Sequence, residues 1–221
     1  MCSKTLVMVL ACRGLGWDML ETAVRNTWCQ NTAGIDVLFY YGNPEGAYCD
    51  HDRLFVKCGE GYPNTGLKTV LAFEYALLHY PKVDYVFRTN LSSYVRLDKI
   101  TEITKQFANS RVYAGRIGNH GGIPFASGCG YFISWDLMQL LVAYKTTLDY
   151  SYMDDVCFGK FLTNRGIPIM PMRRFDITSV EQMRGLPRED LEQYFHFRCK
   201  QENDRTKDVE IMNTLHSFFH T

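Results

Sequence analysis

The chain lacks net charge: 24 Lys and Arg residues balance 24 Asp and Glu. A protein that wraps nucleic acid carries a basic excess, so the balance argues against that class. No apolar run approaches the ~20 residues of a membrane span. There is no repeat, low-complexity tract or linker, which points to one domain over 1–221. Disorder is opposed by the zero net charge and by aromatic residues at 14%. None of the eight cysteines, at 2, 12, 29, 49, 58, 129, 157 and 199, forms a C-x-x-C pair, which argues against a zinc ribbon or finger. Scattered through apolar segments, they read as small buried thiols of a reducing compartment rather than a disulfide framework. Val9-Leu10-Ala11-Cys12 has the form of a lipoprotein cleavage box. The apolar stretch before it is only about seven residues, at the low limit for a signal peptide, and it reads as a first buried strand. The expected location is cytoplasmic.

Periodicity then orders the chain. Segments 6–11, 35–41, 54–58, 83–89, 112–116, 131–134 and 167–170 have the length and composition of strands. Helices are expected from a cap at Asp18 to about Gln30, from a cap at Thr65 to Pro81, over 97–107, from Ser134 to Tyr144, from Asp154 to Gly166 and over 204–219. Six glycines within 115–130 read as a loop, where positive φ or close approach to a ligand uses that residue. Strands alternating with helices predict an α/β fold, a three-layer α/β/α sandwich on a mixed, mainly parallel sheet. Such sheets bind ligands at the carboxyl ends of their strands. Here those ends carry Arg13–Gly16, Asn90–Tyr94 and the glycine-dense segment.

Five segments, in order, resemble GT-A-fold glycosyltransferases of the β1,3-galactosyltransferase and Fringe type. Arg25-Asn26-Thr27-Trp28 resembles that family's R-x-T-W helix. Tyr62-Pro63-Asn64-Thr65-Gly66-Leu67-Lys68-Thr69 is similar to its Y-x-N-L-T-x-K-T helix entry. The segment from Asp84 to Val95 falls where the family has a strand ending in K-T-D-x-D-x-F-V. Ser127-Gly128-Cys129-Gly130-Tyr131-Phe132-Ile133-Ser134 resembles S-G-x-G-Y-x-x-S, and Met153-Asp154-Asp155-Val156-Cys157-Phe158-Gly159 resembles an E-D-V-x-x-G helix start. The Arg-Thr-Asn-x-Ser-Ser variant is also similar to short glycosyltransferase domains of large DNA viruses. One departure is large. The family's D-x-D carboxylates, which hold a divalent cation on the donor diphosphate, are replaced by Asn90 and Ser92. Neutral oxygens are poor ligands for a hard cation.

The resemblance implies transfer of a sugar from a nucleotide-diphosphate donor, most simply a UDP-sugar, to a hydroxyl of a glycan or glycoprotein acceptor. Residues 1–95 would form the nucleotide half and 96–221 the acceptor and catalytic half. Asp155 is the candidate general base, with Asp154 next, and one carboxylate acting as base implies inversion. Asp at a helix start is also an ordinary cap. Arg13, Arg88, Asn90, Ser92, Ser93, His196, Arg198 and Lys200 are candidates for the donor. If 196–200 is extended, its alternate residues His196, Arg198 and Lys200 share one face. Ser127, Gly128, Gly130 and His120 are candidates for the sugar and acceptor loop. No metal is assigned. Should Mn²⁺ or Mg²⁺ bind, Asn90 and His196 would ligate it beside the diphosphate. Otherwise Arg88, His196, Arg198 and Lys200 would meet the leaving charge and activity would survive chelation. Two rivals stand beside the transferase: a degenerate domain that binds nucleotide sugar or glycan without turnover, and one domain of a longer glycan-synthesis polypeptide.

Overall fold

A computed structural model describes residues 4–32, 34–201 and 204–220. In chain order the elements are β1 (Thr5–Leu10), α1 (Leu15–Asn26), β2 (Asp36–Gly42), β3 (Tyr48–Asp50), β4 (Arg53–Val56), α2 (Thr65–His79), β5 (Tyr85–Asn90), β6 (Ser93–Val95), α3 (Ile100–Thr104), β7 (Tyr113–His120), β8 (Ile123–Ser134), α4 (Trp135–Ala143), α5 (Asp154–Thr163), β9 (Met170–Pro171), β10 (Phe175–Ile177), α6 (Val180–Arg184), α7 (Arg188–Glu192), β11 (His196–Cys199) and α8 (Arg205–His220). Eight strands form one sheet in the order β3-β4-β2-β1-β5-β8-β7-β9. The β4-β2-β1-β5 pairs are parallel, while β3, β8 and β7 run antiparallel to the neighbours β4, β5 and β8. A second sheet, β10-β11-β6, lies apart from it.

The expected three-layer α/β/α sandwich on a mixed, mainly parallel sheet is the observed one. β1 is covered on both faces, which is why it reads as an unbroken apolar run. Val7 and Val9 pack toward α1, α3, α8 and the small sheet, with Leu20, Val24, Ile100, Ile211 and Phe197. Leu6 and Met8 pack toward α2, α4 and α5, with Phe73, Met138 and Phe158. Among the described residues no helix is long and apolar enough to cross a membrane. The seven described cysteines are free thiols; Cys58, Cys129, Cys157 and Cys199 are buried, whereas Cys49 is exposed. Cys2 lies outside the described residues.

Several boundaries differ from expectation. The glycine-dense segment is not a loop but the long hairpin β7–β8. Only Gly121 and Gly122, at φ 57° and 88°, make its turn. The other glycines serve close packing: a Cβ on Gly118 would lie 2.5 Å from the Phe125 ring. α1 begins at Leu15, so Asp18 lies in its first turn, where it favours the helix dipole without capping. The helix expected over 97–107 shrinks to α3, and the strand over 167–170 to β9. β3, β6, β10, α6 and α7 have three to five residues each, too short to show a period.

The glycine of the Asp154–Gly159 segment has a packing cause. A Cβ on Gly159 would fall 2.4 Å from Phe125 Cβ and 2.7 Å from the Pro124 carbonyl oxygen, where α5 crosses β8. Gly159→Ala is therefore expected to destabilise the fold by roughly 1–3 kcal/mol through overpacking. The urea midpoint, with the slope unchanged, measures it.

Candidate active site at the strand ends

β1, β2 and β5 run parallel, so their carboxyl ends open on one side of the sheet, with Leu10 in register with both Tyr40 and Asn90. The starts of α2 and α5 and the strand β8 close around that side. The polar centre beneath it is Arg88. This residue lies on the α2–α5 face of β5, is 1% exposed, and has no aqueous outlet. Its guanidinium pairs with Asp154 at 2.8 Å. It donates to Tyr40 Oη at 3.1 Å and to the Gly128 carbonyl. Asp154 Oδ2 also accepts from Thr69 Oγ1 at 3.4 Å. Burial pushes the Asp154 carboxyl up, to about 6, against the pull of Arg88. Both groups are consumed by each other. This corrects two expectations: Arg88 is no donor contact, and Asp154, 3% exposed, cannot reach an acceptor.

Asp155 is placed differently. It follows Asp154 at the start of α5 and is half-buried. Its Oδ2 accepts from Gly128 N at 2.8 Å and its Oδ1 from Val156 N at 2.9 Å. Two backbone donors thus orient a carboxylate that pairs with no cation among the described residues, and each oxygen keeps a lone pair. Gly128 is required here, because a Cβ would lie 3.0 Å from Asp155 Oδ2.

The turn from β5 to β6 is built by its own side chains. Asn90 Oδ1 accepts from Ser92 N at 3.0 Å and lies 3.3 Å from Ser93 Oγ, and its amide donates to the Gly128 carbonyl at 3.3 Å. Ser93 is in register with Arg198, and Arg198 with Asp176, so the three share one face of the small sheet. As expected for an extended segment, His196 and Arg198 lie on that face two residues apart. The two differ sharply in state. His196 is 2% exposed, with Nε2 3.1 Å from Ser93 Oγ, and Gly130 leaves room for its ring. Ser93 already donates to the Cys129 carbonyl at 3.1 Å, so His196 Nε2 is the donor. Burial, aided by Arg174, pushes its pKa down to about 3. His196 is therefore a neutral residue in the floor of the site, which corrects its assignment as a cation at the diphosphate, and its Nε2 is engaged with Ser93. Arg198 is half-buried, its Nε is shut from solvent, and that nitrogen has no hydrogen-bond partner among the described residues.

Other residues line the rim. Ser127 Oγ accepts from Arg174 Nη1 at 2.8 Å. Arg174 also grips Asp176 with Nε at 2.6 Å and Nη2 at 3.0 Å, and Arg116 binds the same carboxylate. Burial works against the Asp176 anion, yet the two guanidiniums hold its pKa below the usual range. Arg13 is exposed after β1 and stacks over Phe55, 4.8 Å from the ring centroid. Lys200 is half-buried beyond β11. His120 lies exposed near the hairpin turn, its ring 5.8 Å from that of Tyr152. Among the described residues no group of three His, Cys, Asp or Glu could hold a metal ion.

Sequence reasoning missed three features. Lys68, fully buried, donates to the Ala11 carbonyl at 3.3 Å and pairs with Glu60, whose other oxygen accepts from Gly42 N at 2.8 Å. It ties the ends of β1 and β2 to α2, and its place within the Tyr62–Thr69 segment was the available signal. The Arg116–Asp176–Arg174 cluster had none, since it needs β10 beside the hairpin. Arg205 also went unnoticed. It reaches Ser92 Oγ at 3.2 Å from 113 positions away.

Two measurements follow from these states. Arg88→Met leaves Asp154 buried and uncompensated, so it should cost about 3–5 kcal/mol, while Arg88→Met with Asp154→Leu recovers most of it. Paired urea unfolding curves read both. His196 gives a pH dependence. Unfolded, it titrates near its ordinary ~6.5; folded, near 3. Between those values the unfolded chain holds a proton the folded one lacks. Its stability contribution is thus complete above about pH 6.5 and falls by about 1.4 kcal/mol per unit as pH drops. The difference in stability between the native chain and His196→Gln, measured at pH 7 and pH 5, should show that slope; Asp154, raised to about 6, contributes the opposite sign below that pH and cancels in the difference.

No family model matches the chain. It is similar to beta-1,3-galactosyltransferase 1 of Mus musculus and of Homo sapiens, at 27% identity to each over 66% of this chain. The chain spans 56% of the length of those relatives. Among solved structures it is similar to a glycosyltransferase involved in the glycosylation of the major capsid of PBCV-1, with a TM-score of 0.56, at 10% sequence identity, over 94% of this chain and 98% of the other. The architecture built above from the sheet order is thus the fold of a solved glycosyltransferase.

Proposed function

We propose that the chain is a glycosyltransferase that moves a sugar from a nucleoside-diphosphate donor, UDP in the simplest case, to a hydroxyl of a glycan or glycoprotein. The observation that carries this reading is the separation of charges at the strand ends. Asp155 offers an oriented carboxylate free of any cation, and Arg198 offers a half-buried guanidinium with an unpartnered nitrogen. That nitrogen is shut from solvent, so an anionic ligand would meet the terminal nitrogens of the same guanidinium, and its charge would answer that of Arg198. The likeness to a solved glycosyltransferase and to the curated galactosyltransferases supports the same chemistry.

In this reading residues 1–95 hold the nucleotide, with Arg13 at the rim, and 96–221 carry the acceptor side. Arg198 and Lys200 meet the diphosphate. Ser127, Gly128, Gly130 and His120 belong to the hairpin that walls the transferred sugar. The acceptor hydroxyl attacks the anomeric carbon and gives its proton to Asp155. The bond from that carbon to the phosphate oxygen breaks, and the diphosphate leaves with the electron pair. Attack opposite the leaving group inverts the anomeric centre. The exposed location is read as cytoplasmic.

Asp155→Asn keeps the size and one acceptor oxygen but takes no proton. Transfer from the donor identified in a melting-shift panel of UDP-, GDP-, CMP- and dTDP-sugars should fall at least about 10²-fold, with donor binding nearly unchanged. Normal transfer by the variant would remove Asp155 as base. Donor binding by the native chain without turnover would identify a degenerate binding domain, and a flat panel would refute donor binding altogether.

A further inference from the structure

A divalent cation at Asn90 and Ser92 does not fit the residues present. Asn90 Oδ1 already accepts from Ser92 N, Ser92 Oγ accepts from Arg205, and His196 is turned to Ser93. A hard cation requires several oxygens with compensating negative charge, and none of these three side chains is charged. We infer that the guanidinium of Arg205 occupies the role instead, as the fixed cation that binds the donor diphosphate. The inference rests on the glycosyltransferase reading.

The geometry of Arg205 supports it. The residue opens α8, and its guanidinium stacks over Trp17, 4.4 Å from the ring centroid. Its stem passes Gly16, where a Cβ would lie 3.3 Å from Arg205 Cγ. Nη1 donates both to Ser92 Oγ at 3.2 Å and to Asp208 Oδ2 at 2.8 Å. Asp208 is fully buried, and its other oxygen accepts from Gln201 N at 2.6 Å. One edge of the guanidinium is thereby clamped. Nε and Nη2 make no hydrogen bond among the described residues, and the side chain remains 26% exposed. An arginine has five N–H groups, so three remain in a planar fork that suits phosphate oxygens.

The charge arithmetic is also that of a metal site. A divalent cation between two carboxylates is locally neutral, and so is a guanidinium held by one carboxylate. Both leave a fixed positive centre beside the leaving group. Arg198, in register with Ser93, stands on the adjoining strand, so two guanidiniums flank the turn where a single ion would sit. Neither loses a proton, and the diphosphate departs as an anion stabilised by preorganised donors.

The test is calorimetric binding of UDP and of uridine to the whole chain, in EDTA and again with Mn²⁺. Equal UDP affinity in both buffers is expected. Arg205→Gln keeps the stem on Trp17 and a donor for Ser92, and should weaken UDP by about 10-fold or more while uridine changes less than about twofold. Arg205→Lys, with charge but no fork, should fall between. UDP affinity that collapses in EDTA and returns with Mn²⁺ overturns the inference without needing a variant. So does native-like UDP binding by Arg205→Gln, or equal weakening of UDP and uridine. If the native chain binds none of UDP, GDP, CDP and dTDP, the transferase reading fails and the inference with it. If it binds one and Arg205→Gln binds that ligand equally well, only the inference fails.

Discussion

The buried pair of Arg88 and Asp154 is the constraint on which the site depends. It puts two charges into a face of the sheet that is otherwise packed with Val86, Tyr131, Phe73 and Phe158. Such a pair contributes little net stability, because desolvation cancels much of the attraction. What it supplies is position. Arg88 joins β5 to Tyr40 of β2, to the Gly128 carbonyl of β8 and to the first residue of α5. With Asp154 held by Arg88 below, the next residue is left at the edge. Asp155 then meets the Gly128 N–H, so one ion pair aligns the helix that presents the proposed base with the hairpin proposed to wall the sugar.

The remaining cations are sorted by how completely their charge is answered. Lys68 is buried and paired with Glu60, and it fastens strand ends. Arg174 and Arg116 share Asp176, a surplus of one positive charge beside Ser127. Arg205 is clamped on one edge by Asp208. Among the described residues Arg198 pairs with no carboxylate. This gradient, from fully satisfied charges beneath the site to unsatisfied ones at its surface, is what a pocket for an anion requires. It also explains how the turn at Asn90–Ser93 can dispense with carboxylates. An added negative charge there would lie against Arg205 and occupy the cation proposed to meet the diphosphate.

The hairpin β7–β8 shows a second physical theme. Two of its glycines are set by contacts from other elements, Gly128 by Asp155 and Gly130 by His196 and Phe87, and Gly118 by its cross-strand partner Phe125. The same holds for Gly159 in α5. The motif glycines mark places where backbone or side chains of distant segments pass within van der Waals contact. Two of them, Gly121 and Gly122, alone make the turn.

The layer order and the parallel centre were legible in the sequence, because strands buried on both faces are apolar runs and the helices between them are periodic. So were the long helices α2, α4, α5 and α8, and the candidate base beside a helix start. A segment of alternating basic residues at 196–200 was legible as one face of a strand. What tertiary structure alone decided is which charges are spent. Asp154 and Asp155 are chemically identical neighbours, and only the depth of Arg88 makes one a buried counter-ion and the other an accessible carboxylate. His196 and Arg198 differ by two positions on one face, and only the closeness of Gly130 buries the first as a neutral ring. Arg205 and Ser92 are 113 positions apart, so no local pattern could join them. Periodicity reports which face a residue occupies, since that depends on its own strand or helix. Whether a charge on that face is answered depends on partners brought from elsewhere in the chain, and this is settled only when the layers close.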